Sequence, residues 1–546
     1  MEKALEASTP SGAGPAAPAS QSFSGKVIRN TLFNVFGMVW GMGIRFFITP
    51  YTWHHIGNDL AGVWSVVGIL TGYFGLLDFG LARSFDKYFA EYYTKRDWAC
   101  FNRVFNIGLI FYVFFALSIV ALVVVGYPYL MPLLGLSADR IGQENFDTAV
   151  FAVIGSIVIF GWGMATSVYG MIMIGLQRMD TLNKINIGAS TLGVVGTVIA
   201  LEGGYGLRGL VVSSGVVAVI STVVTVVAAS ALMPGLRLNP FLAEWTMFRQ
   251  MFGFGTKLQV AKLANLLTYQ LNSLLVSRFL HVGLVTPYSF AAGFIGSIRN
   301  VVLMLPSAVI PATAELEARN EKERSLEFYE RGTRYLVLIG TPICMFSIIA
   351  APLIMLAWLG PEYHLAPEAT RLIQLLTIGY YANLSTGVAT GVAVGMGKPE
   401  YEMKFGIALA VFTVALSAGL VHTMGFYGPG IGSTVSLTVC ALYFYRLFHT
   451  YLGQPLLPFL HRMYTVPIGA SLAAGFLVFI TQQGAVALLD PTHRPAALFL
   501  FGTEALIFFA LYTIFVLKTS YLDCYDRALF RRYVGKLRFL QPVSEK

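Results

Sequence analysis

The sequence has little charge for its length. Only 12% of its 546 residues are Asp, Glu, Lys or Arg, whereas 56% are hydrophobic, and the mean hydropathy is +0.67. A soluble chain carries about twice that fraction of charge. The composition therefore excludes an ordinary soluble enzyme or binding domain and indicates a chain that lies mostly in lipid.

Cysteine is scarce as well. The four cysteines, Cys100, Cys344, Cys440 and Cys524, form no CxxC pair, which argues against a zinc site and against a disulfide framework. The eight histidines show no metal-ligand spacing. We therefore expect no metal and no cofactor.

Nucleotide- and nucleic-acid-binding motifs are missing too. Residues 391–399 (GVAVGMGKP) imitate a phosphate loop, but the spacing is wrong and Pro399 replaces the Ser or Thr that would hold Mg²⁺. The net charge of +9 lies in short loops and the tail rather than in a folded basic domain. We expect neither ATP nor nucleic acid as a partner, and transport energy would come from an ion gradient or from the cargo's own gradient.

Long apolar runs fill most of the chain. Runs of about 18 residues or more cross a bilayer as helices, because only helices and closed barrels satisfy their own backbone in lipid. The sequence predicts fourteen spans, at about 27–49, 60–82, 104–125, 150–174, 185–201, 209–232, 258–280, 285–311, 335–358, 370–394, 405–421, 430–448, 465–489 and 496–517. The predicted class is an all-α polytopic membrane protein.

A ten-residue segment occurs twice. GLQRMDTLNK at 175–184 and GMGKPEYEMK at 395–404 share Gly, a base, an acid and a final Lys, 220 residues apart, and each joins two predicted spans. His55-Ile-Gly57 is similarly echoed by His281-Val-Gly283. The interval predicts two six-helix repeats in the same orientation, related by a pseudo-two-fold axis along the membrane normal, plus two C-terminal helices.

This repeat divides the chain into five expected regions. Residues 1–25 are rich in Ala, Pro and Ser, lack an apolar core, and are predicted to be a disordered cytoplasmic extension rather than a signal peptide. An N-lobe at 26–234 and a C-lobe at 235–450 follow, then two further helices at 451–517 and a basic cytoplasmic tail at 518–546.

The basic residues predict the orientation. With the N-terminus inside, the external segments hold only Arg140, Arg208, Arg371 and Arg494, while most of the 37 Lys and Arg residues lie in cytoplasmic segments. This asymmetry places both termini in the cytoplasm.

Two cytoplasmic connectors, 83–103 and 315–334, are basic and amphipathic. One interpretation is that they are ordinary solvated loops. The other is that they are interfacial helices, with aromatic residues such as Phe85, Tyr88 and Phe89 at the headgroups and bases meeting anionic phospholipids. The sequence leaves both open.

The architecture resembles a known group of transporters. Fourteen spans, GLLDFGL at 75–81, FAEYY at 89–93 and the repeated turn GLQR/GMGK resemble the MOP exporter superfamily, above all its Wzx-type O-antigen flippases. The resemblance implies a bacterial inner-membrane protein that moves undecaprenyl-pyrophosphate-linked oligosaccharide between leaflets, for O-antigen or exopolysaccharide export. It also implies partners such as a polysaccharide polymerase and chain-length proteins.

Charges inside spans point to a cavity, since each costs about 2.5–3.5 kcal/mol at mid-bilayer. The first span places Asn30, Asn34, Gly37, Gly41 and Arg45 on one face, within about 80° at 100° per residue. This is either a cavity wall or a helix-packing face from which Arg45 extends to the external interface.

The seventh and eighth spans carry a stronger signal. Lys262, Asn265, Tyr269 and Asn272 share one face of the seventh, and Arg299 lies near the middle of the eighth. The alternative to a cavity is a buried hydrogen-bonded seam. A cavity lined by these bases would bind the phosphate of a lipid-linked sugar through charge-assisted hydrogen bonds.

Only two acids lie within the spans. Asp78 is expected to be a gating or structural acid paired with a base, and Glu504 to lie in a groove beside the thirteenth span. The main rival function is an ion-coupled multidrug exporter of the MATE type, which would carry a carboxylate where this chain has Arg45 or Lys262. An enzyme is disfavoured, because the longest predicted external loop, 126–148, is too short to assemble catalytic groups.

Overall fold

The computed structural model describes the backbone of residues 23–76, 78, 81–304, 309–319, 321–488, 493–523 and 526. Within these ranges it leaves the side chains of 23–35, 38, 39, 76, 83, 253–266, 310–312, 318 and 481–488 undescribed. The described residues form helices, short 3₁₀ turns and connecting turns, with no strand among them, which confirms the all-helical class.

The helices in the described part of the chain follow one another closely. They are α1 Phe23–Leu76, α2 Leu81–Lys95, α3 Trp98–Leu133, α4 Ala138–Ile141, α5 Gln143–Gly175, α6 Met179–Glu202, α7 Gly206–Leu232, α8 Trp245–Phe279, α9 Val285–Val302, α10 Val309–Ala318, α11 Lys322–Ile349, α12 Ala351–Leu359, α13 Ala366–Ser385, α14 Gly387–Gly395, α15 Pro399–Met424, α16 Gly428–Leu452, α17 Leu456–Leu488 and α18 Arg494–Lys518.

Eight stretches of helix in the described residues are long and apolar enough to cross a membrane. They lie in α3, α5, α6, α7, α11, the joined α15 and α16, α17 and α18. The first, seventh and eighth predicted spans, which carry the polar faces, are not among these eight. A polytopic helical membrane protein is thus confirmed, whereas the count of fourteen stays a prediction.

Several predicted boundaries shift. The first two spans lie in α1, which is broken at Gly57 by a backbone with φ 74° and ψ 179°. The fifth and eleventh spans, predicted as short, are full-length helices in α6 and α15. The expected loop at 126–148 is wrong over much of its length: α3 continues through Pro128 and Pro132, as membrane helices tolerate, and α4 and the start of α5 follow.

Connector 83–103 also differs from the interfacial-helix interpretation. It forms most of α2 and the start of α3, but Phe85 and Phe89 are fully buried and Tyr88 nearly so, in a core they share with Tyr112 and Ile172. The apolar face of α2 therefore packs against helices α5 and α8 rather than against lipid headgroups. Its amphipathic pattern predicted the helix but not the surface that it covers.

The helices pack in a similar way in each half of the chain. In the first half, α5 contacts α3 and α7, and α6 packs on α7. In the second half, α13 contacts α11 and α16, and α15 packs on α16. α1, α8 and α9 meet between these groups, and α18 lies against α12 and α17.

The segment after α18 is tied to the start of α11. Arg334 Nη1 lies 3.1 Å from Asp526 Oδ2 and 3.4 Å from Asp523 Oδ2, and Arg331 approaches the same pair. A hydrogen bond from the Asp526 backbone N–H, reinforced by these arginines, holds the pKa of Asp523 below its ordinary value. Asp523 is therefore an ionised partner in this clamp at neutral pH.

Candidate functional site

A polar cavity of about 460 Å³ lies where α1, α8, α9 and α13 meet. Its walls combine small residues, which leave space, with hydroxyl, amide and guanidinium groups. The lining residues are Ser65, Gly68, Ile69, Tyr269, Gln270, Ser273, Ser289, Ala292, Gly293, Gly296, Arg299, Asn300 and Tyr380. α1 belongs to the first half of the chain and the other three helices to the second, so the cavity lies between the halves.

Arg299 is held in this cavity by two contacts. Its Nε donates to Asn383 Oδ1 at 3.0 Å, and its guanidinium carbon lies 4.7 Å from the centre of the Tyr269 ring. Tyr269 donates its own hydroxyl proton to the same Asn383 oxygen at 2.8 Å. The amide of Asn383 therefore fixes both the guanidinium and the ring that supports it.

The electrostatics of the cavity are one-sided. Among the described residues, no Asp or Glu lines it, and the side-chain acceptor of Arg299 is the neutral amide of Asn383. A guanidinium in a partly desolvated site binds phosphate or carboxylate in bidentate geometry. The cavity is thus suited to an anionic ligand and repels a cationic one.

The other residues predicted to line the cavity do not lie on its described wall. Asn272 is buried and donates to Ser433 Oγ of α16, so it forms part of a hydrogen-bonded seam inside the second half, the alternative considered for that face. Arg45 is exposed, and no contact among the described residues joins it to Arg299. The side chains of Asn34, Lys262 and Asn265 lie outside the described residues, so their cavity roles stay predictions.

The two intramembrane acids are both buried. Asp78 is 7% exposed and lies just before α2, close to the end of the bundle that holds the turn at 175–178. Glu504 is 2% exposed near the middle of α18, and neither carboxyl oxygen has a hydrogen-bond partner in the part of the chain that the structure describes. Neither acid lines the cavity.

We call the end of the bundle that carries the Gly57, Gly135 and Gly360 turns the outer end. Here the halves of the chain are joined by polar contacts: Thr286 Oγ1 donates to the Asn58 carbonyl at 2.7 Å, and His281 lies 3.5 Å from Asp59. Glu362 lies 3.9 Å from His54. These contacts close the outer end.

Of the residues predicted to line a cavity, Tyr269 and Arg299 lie on its wall, whereas the sequence analysis did not select Asn383, Gln270 or Asn300. Each is an amide within a predicted apolar span, and that is the signal that could have found it. No group of His, Cys, Asp and Glu able to hold a metal ion occurs among the described residues.

A family model described as polysaccharide biosynthesis protein matches residues 109–367, slightly less than half of the chain. The structure matches the lipid II flippase MurJ in an inward closed conformation with a TM-score of 0.67 and 11% identity, covering 93% of this chain and all of that one. The chain has the fold of the MOP superfamily.

Two MATE transporters, the first described as a member of the MOP superfamily, support the same conclusion. An inward-facing multidrug resistance MATE transporter matches with a TM-score of 0.61 and 15% identity, covering 78% of this chain and 98% of that chain. A MATE transporter of Vibrio cholerae matches at 0.55 and 13%, covering 78% and 96%. The resemblance predicted from the sequence is confirmed, although identities this low show the fold and not the cargo. No curated protein matches the sequence.

Proposed function

We propose that this protein is a flippase for lipid-linked oligosaccharide in the bacterial inner membrane. The observation that carries the proposal is Arg299, a fixed guanidinium in a polar cavity whose described walls hold no acid. The pyrophosphate of the cargo would bind Arg299, and the sugars would face the hydroxyl and amide groups around it. The match to the polysaccharide biosynthesis family supports a glycan cargo.

We further propose fourteen spans in two six-helix repeats plus two C-terminal helices. The backbone geometry of the repeated segments supports this. Gln177 and Gly397 both have positive φ, 57° and 72° respectively. In the first copy the N–H of Arg178 donates to Met173 O, and in the second that of Lys398 donates to Ala393 O. The two turns therefore reverse the chain in the same way, 220 residues apart.

Alternating access is the proposed mechanism. The two halves meet around one cavity, and polar contacts close the outer end. Rocking of the halves would break these contacts and expose the cavity to the other side of the membrane. The positive-inside asymmetry supports an outer end that faces the periplasm and two termini that lie in the cytoplasm.

A MATE-like multidrug exporter is the second candidate, favoured by the structural similarity to MATE transporters. The charge of the cavity argues against a cationic drug, because Arg299 would repel it and none of the described lining residues is acidic. A deletion strain that becomes drug-sensitive while its surface polysaccharide stays normal would favour this alternative.

Replacing Arg299 by Ala tests the proposal. The variant loses the charge-assisted hydrogen bonds to phosphate, and we expect cargo binding and flipping to fall by about 10- to 100-fold. The measurements are flipping of a fluorescent lipid-linked oligosaccharide in proteoliposomes and surface polysaccharide in cells.

The matched control is Arg208→Ala, which removes an exposed guanidinium that lies over the Phe151 ring, away from the cavity. It should flip cargo and reach the membrane as the native protein does. Normal flipping by Arg299→Ala, present in the membrane at native amount, would overturn the assignment.

A further inference from the structure

A second cavity, of about 540 Å³, lies near the outer end between α1, α3 and α8, and its walls are almost entirely apolar. We call it the outer groove. Leu133 on α3, which is 66% exposed, and Phe279 on α8, which is 43% exposed, form its open side. Its volume falls within the range of small-molecule sites.

The outer groove and the polar cavity lie on opposite sides of one helix pair. On α1, Ile69 faces the polar cavity and the adjacent Leu70 faces the groove; on α8, Ser273 and Leu274 divide in the same way. α1 and α8 therefore form a seam, one helix thick, between the polar cavity and the outer groove.

This seam carries unsatisfied polar groups. Gly72 of α1 faces Gln270 of α8, whose Oε1 is buried without a hydrogen-bond partner among the described residues. The hydroxyl of Tyr73, on the groove side, is also buried and unpartnered in the part of the chain that the structure describes. Buried polar atoms are normally paired, so these mark places where a further partner fits.

The outer rim of the groove is cationic. Arg278 lines the groove, and Arg140 Nη1 donates to the Arg278 carbonyl at 3.0 Å. Among the described residues, neither guanidinium pairs with a carboxylate. The acid Asp59 pairs with His281 instead, at 3.5 Å. An apolar slot with two guanidinium groups at its outer edge complements an amphiphile with one anionic head.

The corresponding place in the other half of the chain is filled. Pro-Leu133-Leu-Gly135 at the end of α3 corresponds to Ala-Trp358-Leu-Gly360 at the end of α12, and both glycines have positive φ. Trp358 stacks on Phe46 at 5.2 Å between ring centres and donates its indole N–H to the Phe46 carbonyl. In the outer groove, Leu133 stands at the position where the other half has this tryptophan.

We propose that the outer groove holds the hydrocarbon tail of a polyprenyl-phosphate carrier, with its phosphate at Arg278 and Arg140. The seam between α1 and α8 is then a lateral portal, through which the polar head of the cargo passes between the central cavity and the outer leaflet. This rests on the proposed flippase function and extends it to the route of the lipid.

The test uses the native protein in phosphatidylcholine nanodiscs and a polyprenyl-phosphate probe with a photoreactive diazirine on its tail. We expect crosslinks on α3 and α8 around Leu133 and Leu274. Leu133→Trp should fill the groove as Trp358 does on the other side and reduce labelling by about tenfold, equivalent to losing a few buried methylenes. Leu122→Trp is the matched control, because Leu122 lies on the same helix and is 65% exposed, and it should label normally.

Two further samples separate the parts of the proposal. Arg278→Gln should weaken labelling by the phosphate probe toward that of uncharged polyprenol. Trp358→Leu, which opens the opposite side, should create new crosslinks near Phe46. Labelling unaffected by Leu133→Trp, or equal labelling by polyprenol and its phosphate, would overturn the assignment.

Flipping measured separately distinguishes failure of this inference from failure of the proposed function. Native-level flipping of lipid-linked oligosaccharide by Leu133→Trp would remove the portal and leave the flippase. Groove labelling in a protein that flips no such cargo would remove the flippase and leave a polyprenyl-phosphate site.

Discussion

At the scale of single residues, Asn383 fixes the position of Arg299 in the cavity. Its side-chain oxygen accepts hydrogen bonds from Arg299 Nε and from the Tyr269 hydroxyl. A neutral acceptor fixes the guanidinium while leaving its positive charge uncompensated. This combination distinguishes an anion site from an internal ion pair, in which a carboxylate would cancel the charge.

Asn383→Asp tests this distinction without changing the shape of the side chain. The carboxylate still accepts both hydrogen bonds, so we expect the protein to fold and reach the membrane. It also neutralises Arg299, and flipping of the proposed pyrophosphate-linked cargo should fall by about tenfold or more. Flipping in proteoliposomes at matched protein amounts gives the measurement, and native rates would show that the charge of Arg299 is not used.

The sequence could predict part of this site and not the rest. Arg299 and Tyr269 were identifiable because polar side chains in apolar spans require a cavity or a partner. Asn383 was not, because its pairing with Tyr269 joins residues 114 positions apart in the chain. Periodicity within one helix cannot show which face of a distant helix lies opposite.

At the scale of structural elements, the paired turns at 175–178 and 395–398 show how one geometry is reached with different residues. The first places Gln177 at φ 57°, and the second places Gly397 at φ 72°. Glycine adopts this left-handed conformation without strain, whereas a residue with a Cβ is sterically strained in it. The two copies therefore differ in strain while reversing the chain identically.

Gly397→Ala should lower the free energy of unfolding by about 1 kcal/mol, since the left-handed conformation is unfavourable for alanine. Gly419→Ala on α15 is the matched control: a Cβ meets open space at both glycines, and only Gly397 has positive φ. Thermal unfolding in detergent measures both variants. An equal or higher midpoint for Gly397→Ala would show that this turn relaxes.

α2 illustrates the limit of sequence patterns at this scale. The amphipathic spacing of residues 83–103 predicts a helix with an aromatic face, and the structure contains that helix. Lipid and protein are both apolar partners for such a face, so hydrophobicity alone cannot choose between them. Phe85 and Phe89 are buried because the tertiary structure brings α5 and α8 against them.

At the scale of the whole molecule, the closed outer end links the two halves of the chain. The His55–Gly57 and His281–Gly283 segments, recognised in the sequence as copies of one another, lie next to each other in the structure through Asp59 and Thr286. A pseudo-two-fold axis between repeats would bring equivalent segments together in this way. The sequence indicated the pair but not that this end is closed.

Closure at this end depends on a glycine. A Cβ built on Gly62 would overlap the backbone carbonyl of Val282, so the halves approach closely only because no side chain stands there. Gly62→Ala should therefore disfavour the outer-closed state and raise the population that is open at the outer end. The measurement is labelling of Ser289→Cys, in the cavity, by a membrane-impermeant thiol reagent added from outside, with the four native cysteines replaced by alanine.

Gly43→Ala is the control for this effect, because Gly43 lies on the same helix and an added Cβ there meets no neighbour. We expect several-fold faster labelling with Gly62→Ala and native labelling with Gly43→Ala. Flipping should fall in Gly62→Ala even though its cavity is intact, because a transporter biased toward one state completes its cycle slowly. Equal labelling of the two variants would mean that the contact between Gly62 and Val282 does not govern access to the cavity. The polar contacts around Asn58 and His281 would then be what closes the outer end.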